Sequence, residues 1–309
     1  MIKIKTIEEA MYKAMRMAAT KLPPDVESKL NEAVAEETNP LAKQHLQVSL
    51  ENARLAGEGN GLVCGDTGFP LYFIKAGTQT AIEGGFGALW KAAENATARC
   101  TAEAFLRPTM VDPLTRDNPG DNIGPGMPKV ELSFTGQPDG IEIICAPKGG
   151  GSEIFGTFYR MLFPSDGKVG IKKFIIDSIK DSCYAGKICP PAIVGVGIGG
   201  TADLCMKMAK EAALLRPLGS RNKNKETADL EIELLQASRE LGLGPMGSQG
   251  INCVMGMHIE TAVTHTAALP VAVNAQCLVG RRWKTTISNN NEVAYEGSID
   301  GWKQEVNHV

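Results

Sequence analysis

The sequence Ala192-Ile193-Val194-Gly195-Val196-Gly197-Ile198-Gly199-Gly200-Thr201 decides the fold class of this chain. Its apolar, β-branched start is typical of a buried strand, and the glycines that follow end the strand. The next residues, 202–215, carry apolar side chains at helical spacing. A strand that leads directly into a helix is the building unit of α/β proteins. We therefore predict a strand over 192–196, a helix over 202–215 and an α/β fold.

The glycines of this stretch also match the pattern Gly-x-Gly-x-x-Gly between a strand and a helix, which is the context of a dinucleotide-binding turn. However, no acidic residue ends a second strand about twenty positions later, where a ribose contact is expected. A nicotinamide-dependent oxidoreductase therefore remains one alternative. The other interpretation is that the glycines let the helix pack closely on its strand.

Outward from this stretch, the periodicity alternates between helix and strand. On the N-terminal side, the periodicity predicts a helix over 171–184. On the C-terminal side, it predicts a helix over 227–241 and strands over 254–259 and 269–273. At the start of the chain, residues 7–57 form a helical scaffold that Pro23-Pro24 interrupts. Two alternating runs, 130–134 and 141–145, predict a β-hairpin around Pro138-Asp139-Gly140.

Composition excludes several classes of function. The chain has 309 residues, 43% apolar and 22% charged, which is enough to bury a core and keep it in solution. The net charge of -3 and the scattered basic residues give no footprint for nucleic acid. No apolar run reaches the roughly twenty residues of a membrane span, and residues 1–16 lack the apolar core of a signal peptide. We expect a cytoplasmic protein.

The chain has eight cysteines, and a reducing compartment makes them thiols or metal ligands, not disulfides. They are Cys64, Cys100, Cys145, Cys183, Cys189, Cys205, Cys253 and Cys277. None lies in a Cys-x-x-Cys pair, and isolated cysteines are usually small core residues, so spacing alone does not establish a metal site. Cys64, Cys183 and Cys277 lie beside glycine-rich or polar segments, which makes them candidates to bind one cluster.

Two glycine loops suit an acidic ligand. In Cys64-Gly65-Asp66-Thr67-Gly68, glycines on both sides of Asp66 allow a tight turn that aims the carboxylate and the Cys64 sulfur into one cavity, although an Asx turn is the simpler reading. Lys148-Gly149-Gly150-Gly151-Ser152-Glu153 follows a strand, and its consecutive amides would form a nest for a carboxylate or phosphate. A flexible connection is the alternative there. The further loop 242–250 reads as a turn that ends a helix.

Three basic side chains are candidates for the same site. His265 precedes the apolar strand that leads to Cys277, although a core histidine is the default interpretation. Arg107 and Arg116 flank a polar, turn-rich loop, and the arginine fork pairs bidentately with carboxylates. Solvated surface arginines are the alternative.

Taken together, the ordered motifs resemble the alpha-type catalytic domain of iron–sulfur hydro-lyases, the class I fumarases and L(+)-tartrate dehydratases. The motifs are residues 64–68, 148–153, Cys189-Pro190-Pro191 with 195–201, His265-Thr266-Ala267, and 271–277. The resemblance covers residues 5–283. It implies one catalytic domain over 1–290, a helical N-terminal scaffold followed by a mixed α/β region of the class I fumarase N-terminal type, with 291–309 as a C-terminal tail.

The resemblance implies a 4Fe-4S cluster held by three cysteines, leaving one iron open as a Lewis acid. By position the ligands would be Cys64, Cys183 and Cys277, and Cys189 is the alternative to Cys183 as the middle ligand.

The resemblance also assigns roles to other residues. Arg107, Thr67 and the amides of Gly149 and Gly150 would bind the substrate, while Asp66 and His265 would be catalytic and handle protons. The base that removes the carbon-bound proton belongs, in this family, to a beta-type subunit. We therefore expect a hetero-oligomer and an inactive isolated chain.

The implied reaction is reversible hydration of a C4 dicarboxylate: fumarate to (S)-malate first, with L(+)-tartrate dehydration to oxaloacetate and mesaconate hydration as alternatives. Gly65 stands where the family commonly has glutamine, which leaves the substrate open. A paralogue that binds a dicarboxylate without a cluster is a further alternative.

Overall fold

The fold is known from a computed structural model that describes residues 1–137 and 139–302. Its helices are α1 (Ile4–Thr20), α2 (Pro24–Glu36), α3 (Pro40–Gly57), α4 (Ala88–Ala102), α5 (Gly150–Phe155), α6 (Gly167–Cys183), α7 (Ala202–Leu215) and α8 (Lys225–Glu240). Its strands are β1 (Phe69–Gly77), β2 (Lys129–Thr135), β3 (Ile141–Lys148), β4 (Thr157–Leu162), β5 (Ala192–Ile198), β6 (Val254–Thr261), β7 (Leu269–Gln276), β8 (Trp283–Ile287) and β9 (Val293–Glu296). The predicted α/β class with an N-terminal helical region is confirmed.

The chain divides into two compact units. The first contains Met1–Pro24, Ala53–Gly150 and the described residues from Arg281 onwards, and the second contains Asp25–Asn52 and Gly151–Gly280. The single catalytic domain over 1–290 stays a prediction. Part of the predicted C-terminal tail forms β9 in the first unit, and residues 303–309 lie outside the described part of the chain.

In the first unit, a five-stranded sheet has the order β2-β1-β3-β8-β9. Strand β1 runs parallel to β2, and the other neighbouring pairs are antiparallel. The apolar stripe of α1, with Ile7, Met11 and Met15, packs with Tyr72 and Ile143 of the sheet in one core. The interior of this unit is therefore the seam between the sheet and its helices.

The predicted hairpin of residues 130–134 and 141–145 is wrong, although both strands exist. Strand β1 lies between β2 and β3 and pairs with both of them. Strand β1 is buried over most of its length, as expected for a strand with neighbours on both sides. Pro138 of the predicted turn lies outside the described residues.

In the second unit, four strands have the order β4-β7-β5-β6, with β5 and β6 parallel and β7 antiparallel to both of its neighbours. Val194 and Val196 share a core with Ile175 of α6 and Leu234 of α8. Because side chains alternate along a strand, Gly195 and Gly197 face the other side of the sheet, where α7 lies.

These two glycines are required by helix packing. A Cβ atom at Gly195 would lie 2.1 Å from the carbonyl oxygen of Ala209, and one at Gly197 would lie 2.1 Å from that of Cys205. The Cys205 thiol also donates a hydrogen bond of 3.2 Å to the carbonyl of Gly197. The interpretation that the glycines let the helix pack closely on its strand is confirmed.

Gly197→Ala is therefore expected to lower the free energy of unfolding by about 1–3 kcal/mol, because α7 must move away from β5. Denaturant titration of the variant and the wild type measures this loss. Gly87→Ala is the control, since Gly87 is exposed and a Cβ there has no neighbour within 4 Å. Equal stability of Gly197→Ala and the wild type would contradict the packing account.

Among the described helices, none combines the length and the apolar content needed to cross a membrane.

Candidate active site

The loop of residues 64–68 connects α3 to β1 and lies flush against the end of β3. Gly68 has a φ of +66°, and a Cβ there would lie 1.9 Å from the carbonyl oxygen of Lys148 and 2.7 Å from the Cα of Gly149. Only glycine allows both this backbone conformation and this approach. The loop is thus fixed beside Gly149.

Thr67 ties this loop to Arg107. The Thr67 side chain is fully buried, and its hydroxyl accepts a hydrogen bond of 2.9 Å from the backbone N–H of Arg107. The Arg107 guanidinium returns to the loop, where it donates a 3.3 Å bond to the carbonyl of Gly65. The two predicted substrate-binding residues are therefore together, and Thr67 contacts the arginine backbone.

Asn122 holds the segment that carries Arg107, although no sequence motif marks it as a functional residue. It is fully buried with a φ of 64°, a conformation that asparagine tolerates better than most residues. Its amide oxygen accepts from the N–H groups of Thr109 and Met110 at 2.8 and 3.1 Å, and its amide nitrogen donates to the carbonyl of Arg107 at 2.9 Å. Arg116, the other candidate arginine, is exposed.

Asp66 is exposed at the tip of the loop, and its position is set from two sides. A Cβ at Gly150 would lie 3.4 Å from one Asp66 carboxylate oxygen, so the carboxylate lies against that glycine. Arg281, which is 1% exposed, donates a 2.5 Å hydrogen bond to the Asp66 carbonyl. Six predicted site residues therefore meet in the first unit: Cys64, Asp66, Thr67, Arg107, Gly149 and Gly150.

In the second unit, Cys189 and Cys277 belong to neighbouring stretches of backbone. The N–H of Leu278 donates a 3.1 Å hydrogen bond to the carbonyl of Cys189. Cys277 directly follows β7 and is 9% exposed, while Cys189 is partly exposed and has a φ of 54°. The two cysteines are thus brought together next to the end of a strand.

Cys183 has different surroundings. It is the last residue of α6, it is fully buried in the core of the second unit, and its thiol donates a 3.6 Å hydrogen bond to the carbonyl of Cys253. Hydrogen bonding to the Cys253 side chain and burial raise the pKa of the Cys183 thiol well above its ordinary value. The Cys183 thiol is therefore enclosed in the core and bonded to another buried cysteine residue, unlike the partly exposed Cys189.

The eight cysteines fall into two groups that test whether a cluster fits this chain. Five are fully buried: Cys100, Cys145, Cys183, Cys205 and Cys253. Burial raises the pKa of Cys100 to about 12, that of Cys205 to about 11 and that of Cys145 well above its ordinary value. The Cys253 thiol donates a 3.0 Å hydrogen bond to the carbonyl of Ser238.

The remaining three cysteines, Cys64, Cys189 and Cys277, match in number the protein ligands of a cluster with one open iron. All three lie in or next to loops. Among residues 1–137 and 139–302, no three His, Cys, Asp or Glu side chains lie close enough together to hold a metal ion. Because a thiol in a loop is more accessible to a metal than one enclosed in a core, these three are the candidate cluster ligands.

His265 lies exposed in the loop between β6 and β7, so the core-histidine interpretation is wrong for it. Its Nδ1 accepts a 3.2 Å hydrogen bond from the N–H of Ala267, which in the neutral ring leaves the proton on Nε2. The loop is held by Gly200, whose N–H donates to Val263 and whose carbonyl accepts from the Thr264 hydroxyl.

The same contacts bear on dinucleotide binding. The N–H of Gly199 donates to the carbonyl of Pro270 at 2.9 Å, and that of Gly200 donates to Val263 at 3.2 Å. In a dinucleotide site the turn approaches the pyrophosphate with its glycine backbone. Here both amides donate hydrogen bonds to backbone carbonyls of the protein itself, so the glycine motif holds the loop that carries His265.

Comparison with known proteins points to a single family. The family model described as fumarate hydratase (Fumerase) matches residues 8–286. The putative L(+)-tartrate dehydratase subunit alpha of Methanocaldococcus jannaschii is 41% identical over 277 residues, which are 89% of this chain and 95% of that protein. The L(+)-tartrate dehydratase subunit alpha of Escherichia coli strain K12 is 33% identical over 279 residues, 90% of each chain.

Proposed function

Because the chain belongs to the fumarate hydratase (Fumerase) family, we propose that it is the alpha-type subunit of an iron–sulfur hydro-lyase that acts on a C4 dicarboxylate. The family resemblance seen in the sequence motifs is confirmed. One observation carries the proposal. The loop with Cys64 and Asp66 is joined by direct contacts to Arg107 and to the glycines that follow β3.

Two substrates are favoured for different reasons. Fumarate hydration to (S)-malate follows from the family description. Dehydration of L(+)-tartrate follows from the names of the two relatives.

For the cluster ligands we propose Cys64, Cys189 and Cys277, the set that the family resemblance implies, with Cys189 in place of Cys183. The support is the partial exposure of Cys189, its contact with the residue after Cys277, and the enclosure of Cys183 in the core of the second unit. When bound, the cluster would supply one Lewis-acidic iron for the substrate hydroxyl.

The protein residues would do the remaining work. Arg107 offers a planar pair of donors to one substrate carboxylate, and the amides of Gly149 and Gly150 offer a nest to anionic oxygen. Asp66 is held by Arg281 next to this nest and would exchange a proton with the departing or attacking water. His265, with its proton on Nε2, would be a second proton carrier.

We also propose a beta-type partner, which would supply the base for the carbon-bound proton. The support is that both relatives are named as alpha subunits. The assembled enzyme would be a cytoplasmic hetero-oligomer, and this chain alone would be inactive.

The test is to produce this chain anaerobically with a beta-type partner and to measure malate formed from fumarate and oxaloacetate formed from L(+)-tartrate. Turnover of either substrate that requires both chains supports the proposal. An iron-loaded, folded complex without turnover of any C4 dicarboxylate would overturn it. Tight nicotinamide binding by a protein that never takes up iron would favour an oxidoreductase.

Thr67→Val is expected to raise KM roughly tenfold with a smaller change in kcat, because the N–H of Arg107 loses its buried acceptor and the arginine is less well placed. Steady-state kinetics of the complete enzyme measure this effect. Thr78→Val is the matched control at an exposed position. An unchanged KM in Thr67→Val would mean that the hydroxyl does not position Arg107.

A further inference from the structure

We infer that Glu37, directly after α2, is a positioning residue for the loop that carries Cys189. Its carboxylate holds the segment of residues 242–252, and that segment holds the backbone on both sides of Cys189. The inference rests on the proposed function, because it concerns cluster binding only if Cys189 is a ligand.

Glu37 is 4% exposed, and its carboxylate is surrounded by N–H donors. One oxygen accepts from the backbone N–H groups of Thr38, Asn39 and Ile251 at 3.0, 3.2 and 3.3 Å. The other accepts from the backbone and the side-chain amide of Asn252 at 3.2 and 2.9 Å. Burial acts to raise the pKa of Glu37, but these hydrogen bonds outweigh it and bring the pKa below its ordinary value.

The segment 242–252 is shaped to receive this carboxylate. Gly250 has a φ of +130°, and a Cβ there would lie 2.5 Å from a Glu37 carboxylate oxygen. The segment closes on itself through hydrogen bonds from Gln249 to Leu243 and from Gly250 to Gly242. The Asn39 side chain adds a 3.0 Å bond to the carbonyl of Ser248. Glu37 thus anchors one end of a closed loop.

The other end of that loop contacts the Cys189 backbone on both sides. The N–H of Met246 donates a 2.9 Å hydrogen bond to the carbonyl of Pro190. A Cβ at Gly247 would lie 2.5 Å from the nitrogen of Gly186, and Gly186 accepts a 2.9 Å bond from the N–H of Cys189. The path from carboxylate to thiol therefore consists of direct backbone contacts.

Such support matters because Cys189 has a φ of 54°, which a residue with a side chain adopts only when its surroundings impose it. A neutral glutamine at position 37 would turn its NH₂ group towards N–H donors or leave some of them unpaired. The segment 242–252 would loosen, and Cys189 would lose the backbone support that orients its thiol.

The test compares Glu37→Gln with the matched control Glu36→Gln, since Glu36 is an exposed neighbour paired with Arg239. In the full chain without iron, mass spectrometry follows the alkylation rate of Cys189, with Cys64 as the internal reference. In the complete anaerobic enzyme, visible absorbance follows cluster loss to a chelator. Glu37→Gln is expected to show roughly 10–100-fold faster cluster loss and a changed Cys189 alkylation rate, with Cys64 unchanged.

A folded Glu37→Gln with wild-type values in both assays would overturn the inference. If that variant does not fold, Asn252→Ala removes only one of the donors and is expected to accelerate cluster loss by roughly threefold; wild-type retention in Asn252→Ala would then overturn it. Failure of the proposed function is recognised by different results. A wild-type enzyme without iron, or an enzyme that keeps its cluster after Cys189→Ser, refutes the ligand assignment whatever the result for Glu37→Gln.

Discussion

Cys189→Ser is expected to lose the cluster and with it all measurable hydro-lyase activity, whereas Cys183→Ala is expected to retain about four irons per chain. The serine hydroxyl is a poor substitute for a thiolate on iron. Cys189 is partly exposed and lies beside the residue that follows Cys277, while the buried Cys183 thiol is bonded to Cys253. Iron and sulfide analysis of anaerobically purified enzyme, with electron paramagnetic resonance, measures the difference.

Cys205→Ala is the control for removing a buried thiol, since Cys205 lies on the buried face of α7 and is fully enclosed. It should behave like Cys183→Ala, with a modest loss of stability and a full cluster. The reverse pattern, with iron lost from folded Cys183→Ala and kept by Cys189→Ser, would restore Cys183 as the ligand.

The sequence predicted the elements whose signal is local. The strand predicted at 192–196 is β5, the helix predicted at 202–215 is α7 with the same bounds, and the helix predicted at 227–241 is α8 within two residues. Each has an apolar pattern whose period is set by its own backbone. Pairing partners are a non-local property, which is why β2 and β3 were predicted correctly as strands and wrongly as neighbours.

Strand β4 shows why some elements escaped prediction. Its outer face carries Tyr159 and Met161, both substantially exposed, so its apolar side chains do not alternate with polar ones. Strand β9 is short, and it is recognisable only from its pairing with β8. In both cases the partner strand defines the element.

The residues of the candidate site likewise differ in how far the sequence could predict them. Glycine-rich loops and their acidic or thiol residues are visible in the sequence because the chemistry requires those residue types. Asn122, Arg281 and Glu37 act through hydrogen bonds to backbone far away in sequence, and nothing beside them signals that role. The choice between Cys183 and Cys189 likewise depends on burial at the end of α6, which flanking residues do not report.

Asp66→Asn is expected to lower kcat by about 10²–10⁴-fold with little change in KM or in cluster content. Asparagine has the same shape and leaves the backbone carbonyl that Arg281 holds, so the loop should keep its place against Gly150. The amide cannot take up or release a proton at the substrate hydroxyl. Steady-state hydration and dehydration rates of the complete enzyme, normalised to iron content, measure the loss.

Asp117→Asn is the control, because Asp117 is an exposed acid in the loop between Arg107 and Asn122. Its kcat should equal that of the wild type. Loss of iron in Asp66→Asn would instead assign Asp66 to holding the cluster loop, and an unchanged kcat in iron-loaded Asp66→Asn would remove it from proton transfer. Because the loop is anchored at Gly68 and Thr67 through separate contacts, a selective loss of kcat would come from the missing carboxylate and not from a displaced loop.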